Sequence, residues 1–217
     1  MHNSFQPRLI AKLAARNDPE RIRLRLTLRF SLLYFAMFVL GLLLCRYTFV
    51  GALPALQAQS EPLFTSPFAE CTLARDYVRA ILDESRQEMM LLAVLAVAGM
   101  TYFSQAASDT ALSAHALLFG GIGYSALNGL LSGRIAHPHA NLAFFLYFFA
   151  QLAQAAILLA AAVEAIYFSY EYRDAGRALR HQRDSVAAHF AWHIVSYAGM
   201  LLIVQAVQSI LLVLFEK

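Results

Sequence analysis

Residues 189–215 read HFAWHIVSYAGMLLIVQAVQSILLVLF, a stretch without a charged side chain when both of its histidines are neutral. At about 1.5 Å of rise per residue, a helix of this length crosses a hydrocarbon core roughly 30 Å thick. A helix that is apolar on every side would expose a hydrophobic face to water in a small soluble domain. The stretch therefore predicts a membrane-spanning helix, and the rest of the chain is interpreted around it.

The composition agrees with an integral membrane protein. Hydrophobic residues make up 59% of the chain and charged residues 14%, whereas an ordinary globular chain has about 25% charged residues. The 217 residues suit a single domain. The formal net charge of +3 is small, and the chain has no phosphate-binding loop or internal repeat, so no nucleic-acid partner is expected.

Further apolar stretches precede the last one. Together they predict five spans, at residues 30–50, 89–107, 111–131, 141–168 and 189–215. Four spans are the alternative, if residues 89–131 do not cross the membrane twice. The predicted fold is an all-α, multi-pass membrane helix bundle that forms one domain.

The charges between the spans predict the orientation. Residues 1–29 hold seven basic against two acidic side chains (7 − 2 = +5), so this interfacial segment should stay in the cytoplasm. Residues 51–88 hold three arginines against six acids (3 − 6 = −3) and predict an external loop followed by a helix. Residues 169–188 form a basic cytoplasmic loop. The N-terminus is therefore predicted inside, and the location is a bacterial-type inner (plasma) membrane.

The two cysteines, Cys45 and Cys71, fall on the external side in this topology. An oxidising periplasm would permit a disulfide between them. Buried free thiols are the alternative, because unpaired cysteine behaves as a small apolar residue. The chain has no CxxC motif, so the sequence does not predict a cysteine-based metal site.

Small and amide residues within the spans indicate how the helices pack. Gly121, Ser125 and Gly129 recur every four residues, a ridge that lets a neighbouring helix approach closely. Amides within a membrane usually connect helices, and they can also line a path for ions or solutes. Five of them are expected in the bundle interior: Asn128, Gln151, Gln154, Gln205 and Gln208.

Three histidines and one acid are expected near the inner ends of their spans. His189 and His193 lie four residues apart on one helix face, and His115 and Glu164 should lie at a similar depth. Three such ligands with an open position would form a zinc site that activates water. Histidines opposed on two helices could instead hold a haem. Packing or interfacial positions are the alternative role for these side chains.

The fragment HFAWHIVSYAG, residues 189–199, resembles the last-helix pattern of the ceramidase and progestin-receptor-like membrane hydrolases. In those families two histidines four apart bind zinc, and a third histidine comes from an earlier helix with a serine four residues before it. The resemblance implies that His189 and His193 are zinc ligands. Two features depart from the pattern: Ala111 stands at the serine position before His115, and five predicted spans replace seven.

Two classes of function follow. The favoured one is a non-enzymatic, oligomeric membrane subunit without a cofactor, either channel-like or a sensor or anchor of a membrane complex. Its expected partners are the lipid bilayer, further copies of the chain, or other membrane or cytoplasmic subunits. The alternative is a metal-dependent intramembrane hydrolase or a haem-binding membrane protein, with zinc or haem held by the inner-leaflet histidines.

Overall fold

The computed structural model describes residues 19–47, 67–68, 71–133, 139–175 and 180–216. This part of the chain forms helices and no strand. The helices are α1 (Pro19–Tyr47), α2 (Ala74–Glu84), α3 (Arg86–Gly99), α4 (Ser104–Leu131), α5 (Ala140–Ala175) and α6 (Arg180–Glu216). The predicted cytoplasmic segment before residue 19 and the external loop up to residue 66 lie outside the described residues.

Four of the described helices are long and apolar enough to cross a membrane. They are Glu20–Tyr47, Ser104–Leu131, Ala140–Tyr172 and Asp184–Leu214. Large apolar side chains such as Leu28, Leu32 and Phe35 point outward from the bundle, where lipid tails would contact them. The prediction of an all-α, multi-pass membrane bundle is confirmed.

The helix that corresponds to the second predicted span is short. With 14 residues, α3 is about 21 Å long, less than a hydrocarbon core requires. The chain turns after it because Thr101 Oγ1 donates to the Ala98 carbonyl at 2.9 Å and accepts from the Phe103 N–H at 3.2 Å. Residues 104–107, predicted at the end of the second span, are instead the first turn of α4.

Contacts along α1 and α4 show that these two helices run parallel. Arg29 pairs with Asp109, and Tyr34, further along α1, contacts His115, further along α4. Parallel neighbours need a return segment between them. The return is made by α2 and α3, which are separated only by Ser85 and together measure about 39 Å. In a membrane the chain would thus make five passages. Four of them are made by single helices that are long and apolar enough to span, and the fifth is made by α2 and α3 together.

The other two long helices alternate in direction. On α5, Glu164 pairs with Arg23 near the start of α1, while Tyr147 packs against Phe119, well along α4. This order makes α5 antiparallel to α1. The end of the bundle that holds Arg23 and Glu164 is called the inner end below, and the opposite end is called the outer end.

The last helix, α6, runs antiparallel to α5. Near the inner end the Phe168 and Phe190 rings stack with centroids 4.1 Å apart. Further along, Gln154 of α5 donates to Gln205 of α6. The start of α1 and the end of α6 therefore lie at opposite ends of the bundle.

One apolar core connects these helices. Phe30, Leu95, Leu112, Leu158 and Leu201 are fully or almost fully buried in it, and they come from α1, α3, α4, α5 and α6. Each such side chain gains about 1.5–3 kcal/mol when transferred from water, and inside a bilayer the gain is mainly close packing. The short helix α3 is therefore an integral part of the bundle interior.

Glycines set the closest approach between α1 and α4. A Cβ on Gly41 would collide with the α4 backbone, and a Cβ on Gly120 would collide with the α1 backbone. The predicted ridge includes Gly121, but the contact is made by the adjacent Gly120. Apart from the backbone of its own helix, no described atom lies within 4 Å of a Cβ built on Gly121. Ser125 and Gly129 are buried. The close packing at this interface comes from Gly120 rather than Gly121.

The two cysteines are free thiols in the structure. Cys45 is buried at the outer end of α1. Cys71 directs its sulfur toward its own turn, where Sγ donates to the Pro67 carbonyl at 3.5 Å. The disulfide that the sequence left open is therefore not formed.

Candidate functional site

The group predicted at the inner leaflet divides into separate sites. His189 and His193 lie on the outward side of α6 with their Nε2 atoms 3.1 Å apart. Glu164 accepts a hydrogen bond from Arg23 at 3.3 Å. His115 is buried, 2% exposed, inside α4. In the part of the chain that is described, no three histidine, cysteine, aspartate or glutamate side chains form a group that could hold a metal ion.

His115 lies deeper than predicted. Its Nδ1 shares a 2.8 Å hydrogen bond with the Tyr34 hydroxyl. Tyr34 follows Arg23 by eleven residues on α1, a distance of about 16 Å along the helix. Because Arg23 contacts Glu164, His115 lies about 16 Å farther from the inner end than Glu164. The expected common depth is wrong because α4 begins at Ser104, which places His115 three turns inside the helix.

The inner end carries a cluster of paired charge. Arg23 bonds Glu164 and also lies over the Tyr167 ring, 4.5 Å from its centroid. Tyr197 of α6 is close enough to interact electrostatically with both Arg23 and Glu164. The Tyr197 ring is 6.3 Å from that of His193. This cluster connects α1, α5 and α6 and neutralises the Glu164 carboxylate.

A second group of polar side chains lies in the middle of the bundle. Its centre is Glu88 in the first turn of α3, which is 5% exposed and accepts a hydrogen bond from Gln151. Tyr34 and Tyr147 are close enough to interact electrostatically with Glu88. We name this group the polar layer. It consists of Tyr34, Glu88, His115, Tyr147, Gln151, Gln154, Gln205 and Gln208.

The amides of the polar layer connect α5 to α6. Gln154 Nε2 donates to Gln205 Oε1 at 3.1 Å. Gln151 and Gln208 lie one turn away on the same faces, and because the helices are antiparallel they lie opposite each other. Four of the five predicted amides thus share one interface. Asn128 lies apart from them, in the last turn of α4 at the outer end.

The polar layer contains acceptor atoms that are left unpaired. Three buried oxygen atoms have no hydrogen-bond partner among the described residues: Glu88 Oε2, Gln154 Oε1 and Gln208 Oε1. Buried polar atoms are normally paired, and an unpaired acceptor costs about 1–3 kcal/mol. The arrangement therefore favours an electropositive occupant.

A groove between α3 and α4 leads from the outside of the bundle to the polar layer. Its volume is about 560 Å³, and it is lined by Met90, Leu91, Val94, Ala114, His115 and Leu118. Asp83, Glu84 and Arg86 line its outer end. His115 belongs both to the groove wall and to the polar layer.

Three residues of the polar layer were not singled out from the sequence. Glu88 is the last residue of the predicted external segment 51–88, whereas the structure buries it in the bundle interior. Tyr34 lies four residues from both Phe30 and Phe38, and this spacing is a signal for a buried aromatic stripe. Tyr147 is one of several aromatic residues at the start of α5, and nothing in the sequence distinguishes it from the others.

No protein family, curated protein or solved structure matches this chain. The interpretation of the site therefore depends on its own geometry and chemistry.

Proposed function

We propose that this chain is a non-enzymatic, multi-pass subunit of a cell inner membrane that acts as an oligomeric, channel-like component. The observation that carries the proposal is Glu88, a buried carboxyl group in a layer to which five helices contribute polar side chains. Ionisable groups within membrane bundles are costly, and they typically mark a path for ions or protons. The polar layer is the proposed working part.

The proposed partners are the bilayer, further copies of the chain and other membrane or cytoplasmic subunits. The basic start of α1 supports an inner-membrane orientation with this end in the cytoplasm. On α2, Tyr77, Val78 and Leu82 expose apolar side chains at the outer end. Such a surface suits another subunit. A sensor or anchor role in a larger complex would use these same surfaces, and no cofactor enters the proposal.

The test is ion flux in liposomes that contain the purified chain. We expect flux above that of empty liposomes, with roughly a tenfold loss in Glu88→Gln, since removal of one charge–ion interaction of about 1.4 kcal/mol changes a rate tenfold. Glu20→Gln removes an exposed carboxylate from the start of α1 and should retain the flux. Absence of flux with the unaltered chain would contradict a channel-like role, and a strictly monomeric chain in cross-linking experiments would contradict the oligomer.

A zinc hydrolase or haem protein is the second candidate, because the His189 and His193 Nε2 atoms are 3.1 Å apart and share one helix face. Two histidines at this spacing can bind one metal ion, with further ligands from water or a partner. Elemental analysis and a visible spectrum of the untagged protein test this candidate. About one zinc per chain, lost in His193→Ala, or a haem absorption band would favour it. A colourless, metal-free protein would exclude it.

A further inference from the structure

Three unpaired oxygen atoms define a site in the polar layer. Glu88 is 5% exposed, Gln154 is 0% exposed and Gln208 is 8% exposed, and each has one oxygen without a partner in the described part of the chain. All three atoms are hydrogen-bond acceptors, and none is a donor. Unpaired carboxylate and amide oxygen atoms of this kind are the ligands that a hard cation prefers.

The three side chains belong to one connected group. Glu88 accepts from Gln151, and Gln154 is on the next turn of the same face of α5. Gln154 donates to Gln205, and Gln208 is on the next turn of α6. Since α5 and α6 are antiparallel, Gln208 lies opposite Gln151, the residue that bonds Glu88. α3, α5 and α6 therefore contribute oxygen ligands to adjoining positions.

The charge around Glu88 is not balanced by protein. The described groups that interact electrostatically with it are Tyr34, Tyr147 and Glu84, and none of these carries a positive charge. A buried carboxylate needs a compensating positive charge close by. A cation would supply that charge and would also satisfy the amide oxygens.

We propose that Glu88, Gln154 and Gln208 bind a monovalent cation of the sodium class in the centre of the bundle. Hard oxygen ligands select alkali and alkaline-earth ions over transition metals. One carboxylate matches one positive charge. Three protein oxygens leave positions for water, in contrast to the complete rings of carbonyl oxygens that replace the hydration shell of potassium. This ligand set is mainly amide oxygen, so it differs from a cluster of histidines, cysteines and acids.

The groove between α3 and α4 offers an access route to this site. Its outer end is lined by Asp83, Glu84 and Arg86, and Asp83 also pairs with Arg79 at 3.7 Å. His115 lies on the groove wall and contacts Tyr34, which neighbours Glu88. The route thus reaches the polar layer at His115.

The proposal rests on the proposed function in one respect, since it names the species that the polar layer of a channel-like subunit would take. Its test is binding rather than flux. Flux without sodium-specific binding would leave the channel-like role standing and refute the site. Sodium-specific binding without flux would establish the site and refute the channel-like role.

The experiment is thermal unfolding of the full chain in detergent, followed with a maleimide dye that reacts with buried Cys45 once it becomes exposed. A Cys71→Ser background removes the half-buried second thiol. Sodium replaces choline at constant ionic strength and pH. We expect a saturable rise in Tm of roughly 5 °C or more in sodium, from ligand binding at a large excess over Kd, and a smaller rise in potassium. Equal Tm values in sodium, potassium and choline would overturn the proposal, as would a shift that follows pH alone.

Variants assign the effect to the site. Glu88→Gln and Gln208→Leu should both lose the sodium-dependent rise, whereas Glu20→Gln should retain it. If Glu88→Gln does not fold, Gln208→Leu and the comparison of cations on the unaltered chain still decide the question. A sodium effect that persists in Gln208→Leu and Gln154→Leu would place the ion elsewhere and refute the assignment.

Discussion

Tyr34 and His115 form a hydrogen bond with each other in the bundle interior, where neither side chain can bond to bulk water. Their hydrogen bond is 2.8 Å long and buried, and the two rings lie 5.8 Å apart. Either tautomer of the histidine permits this bond, because a hydroxyl both donates and accepts. The pair thus joins the parallel helices α1 and α4 at the depth of the polar layer.

Tyr34→Phe removes the hydroxyl and leaves His115 Nδ1 without this partner. We expect a loss of about 1 kcal/mol in the free energy of unfolding, in the range of hydrogen bonds measured within membrane proteins. Reversible unfolding in mixed micelles measures the loss. Tyr47→Phe is the control, since Tyr47 is 68% exposed and should change little. Equal effects of the two substitutions would show that the Tyr34–His115 bond contributes nothing to stability.

A second residue pair acts at the inner end. Arg29 Nη2 lies 2.7 Å from Asp109 Oδ2, and both side chains keep partial contact with solvent. Exposed ion pairs are worth about 0.2–1 kcal/mol, whereas a short charge-assisted hydrogen bond is worth more. We therefore expect the contribution of the Arg29–Asp109 pair to stability to lie at the upper end of the range for exposed ion pairs.

A double-mutant cycle with Arg29→Met and Asp109→Asn should give a coupling of about 1 kcal/mol. Arg25→Met is the matched control, because it removes the same charge from an exposed position of α1. Combined with Asp109→Asn it should show additive effects in the same unfolding assay. Additivity of the Arg29 and Asp109 changes would mean that the short distance between the two side chains reflects no energetic coupling.

At the scale of the elements, the contact between α1 and α4 depends on the absence of two side chains. Gly41 and Gly120 each face the backbone of the other helix, so that the axes approach more closely than any larger residue allows. Gly121, next to Gly120, faces open space. Neighbouring glycines on one helix therefore have different roles.

Gly120→Ala should push α1 away from α4 and lower the free energy of unfolding by roughly 1–3 kcal/mol, the cost of overpacking. Gly121→Ala adds the same methyl group where there is room, and it should be neutral or stabilise the helix by up to about 1 kcal/mol. Unfolding of the two variants side by side measures the difference. Similar destabilisation by both would refute the close approach at Gly120.

The sequence predicts some elements better than others for physical reasons. Long uncharged runs define α4, α5 and α6 because a bilayer selects such runs by length. The boundary between α3 and α4 was not predictable, because Thr101 ends one helix through side-chain hydrogen bonds and no charge or proline marks the position. The sequence predicts the ridge of small residues on α4, which is the helix that makes the close contact, but the choice between Gly120 and Gly121 depends on how α4 is rotated toward α1.

At the scale of the whole molecule, the helix directions determine the two sides of the bundle. α1, α4 and α6 run from the inner to the outer end, and α5 runs back, as do α2 and α3 together. The start of α1 and the end of α6 consequently lie on opposite sides of a membrane. If the basic start of α1 lies in the cytoplasm, as we propose, the end of α6 lies outside.

Reporter fusions in a bacterial host test this orientation. A fluorescent protein that matures only in the cytoplasm should be bright when fused before α1 and dark when fused after α6. A phosphatase that needs a periplasmic disulfide should show the opposite pattern. The same reporter active at both ends would mean an even number of passages, and the α2–α3 return would then be wrong.

The candidate site could be predicted only in part from the sequence. Amides such as Gln154 and Gln205 within apolar helices indicate the bundle interior, since lipid offers them no hydrogen bonds. Glu88 is predicted at the end of the external segment 51–88, and its burial in the bundle was missed because it depends on a return segment that is too short and too charged to be identified as a span. The sequence predicts His115 too near the inner end, because the predicted third span begins at residue 111, seven residues after Ser104, where α4 begins.

The parallel contact between α1 and α4 also sets an order of events during synthesis. The ribosome releases α1 first, and the stretch from Tyr47 to His115 takes roughly 3 to 14 s to make at about 5–20 residues per second. Until α4 enters the bilayer, the face of α1 that holds Tyr34 and Gly41 therefore lacks the helix against which it packs.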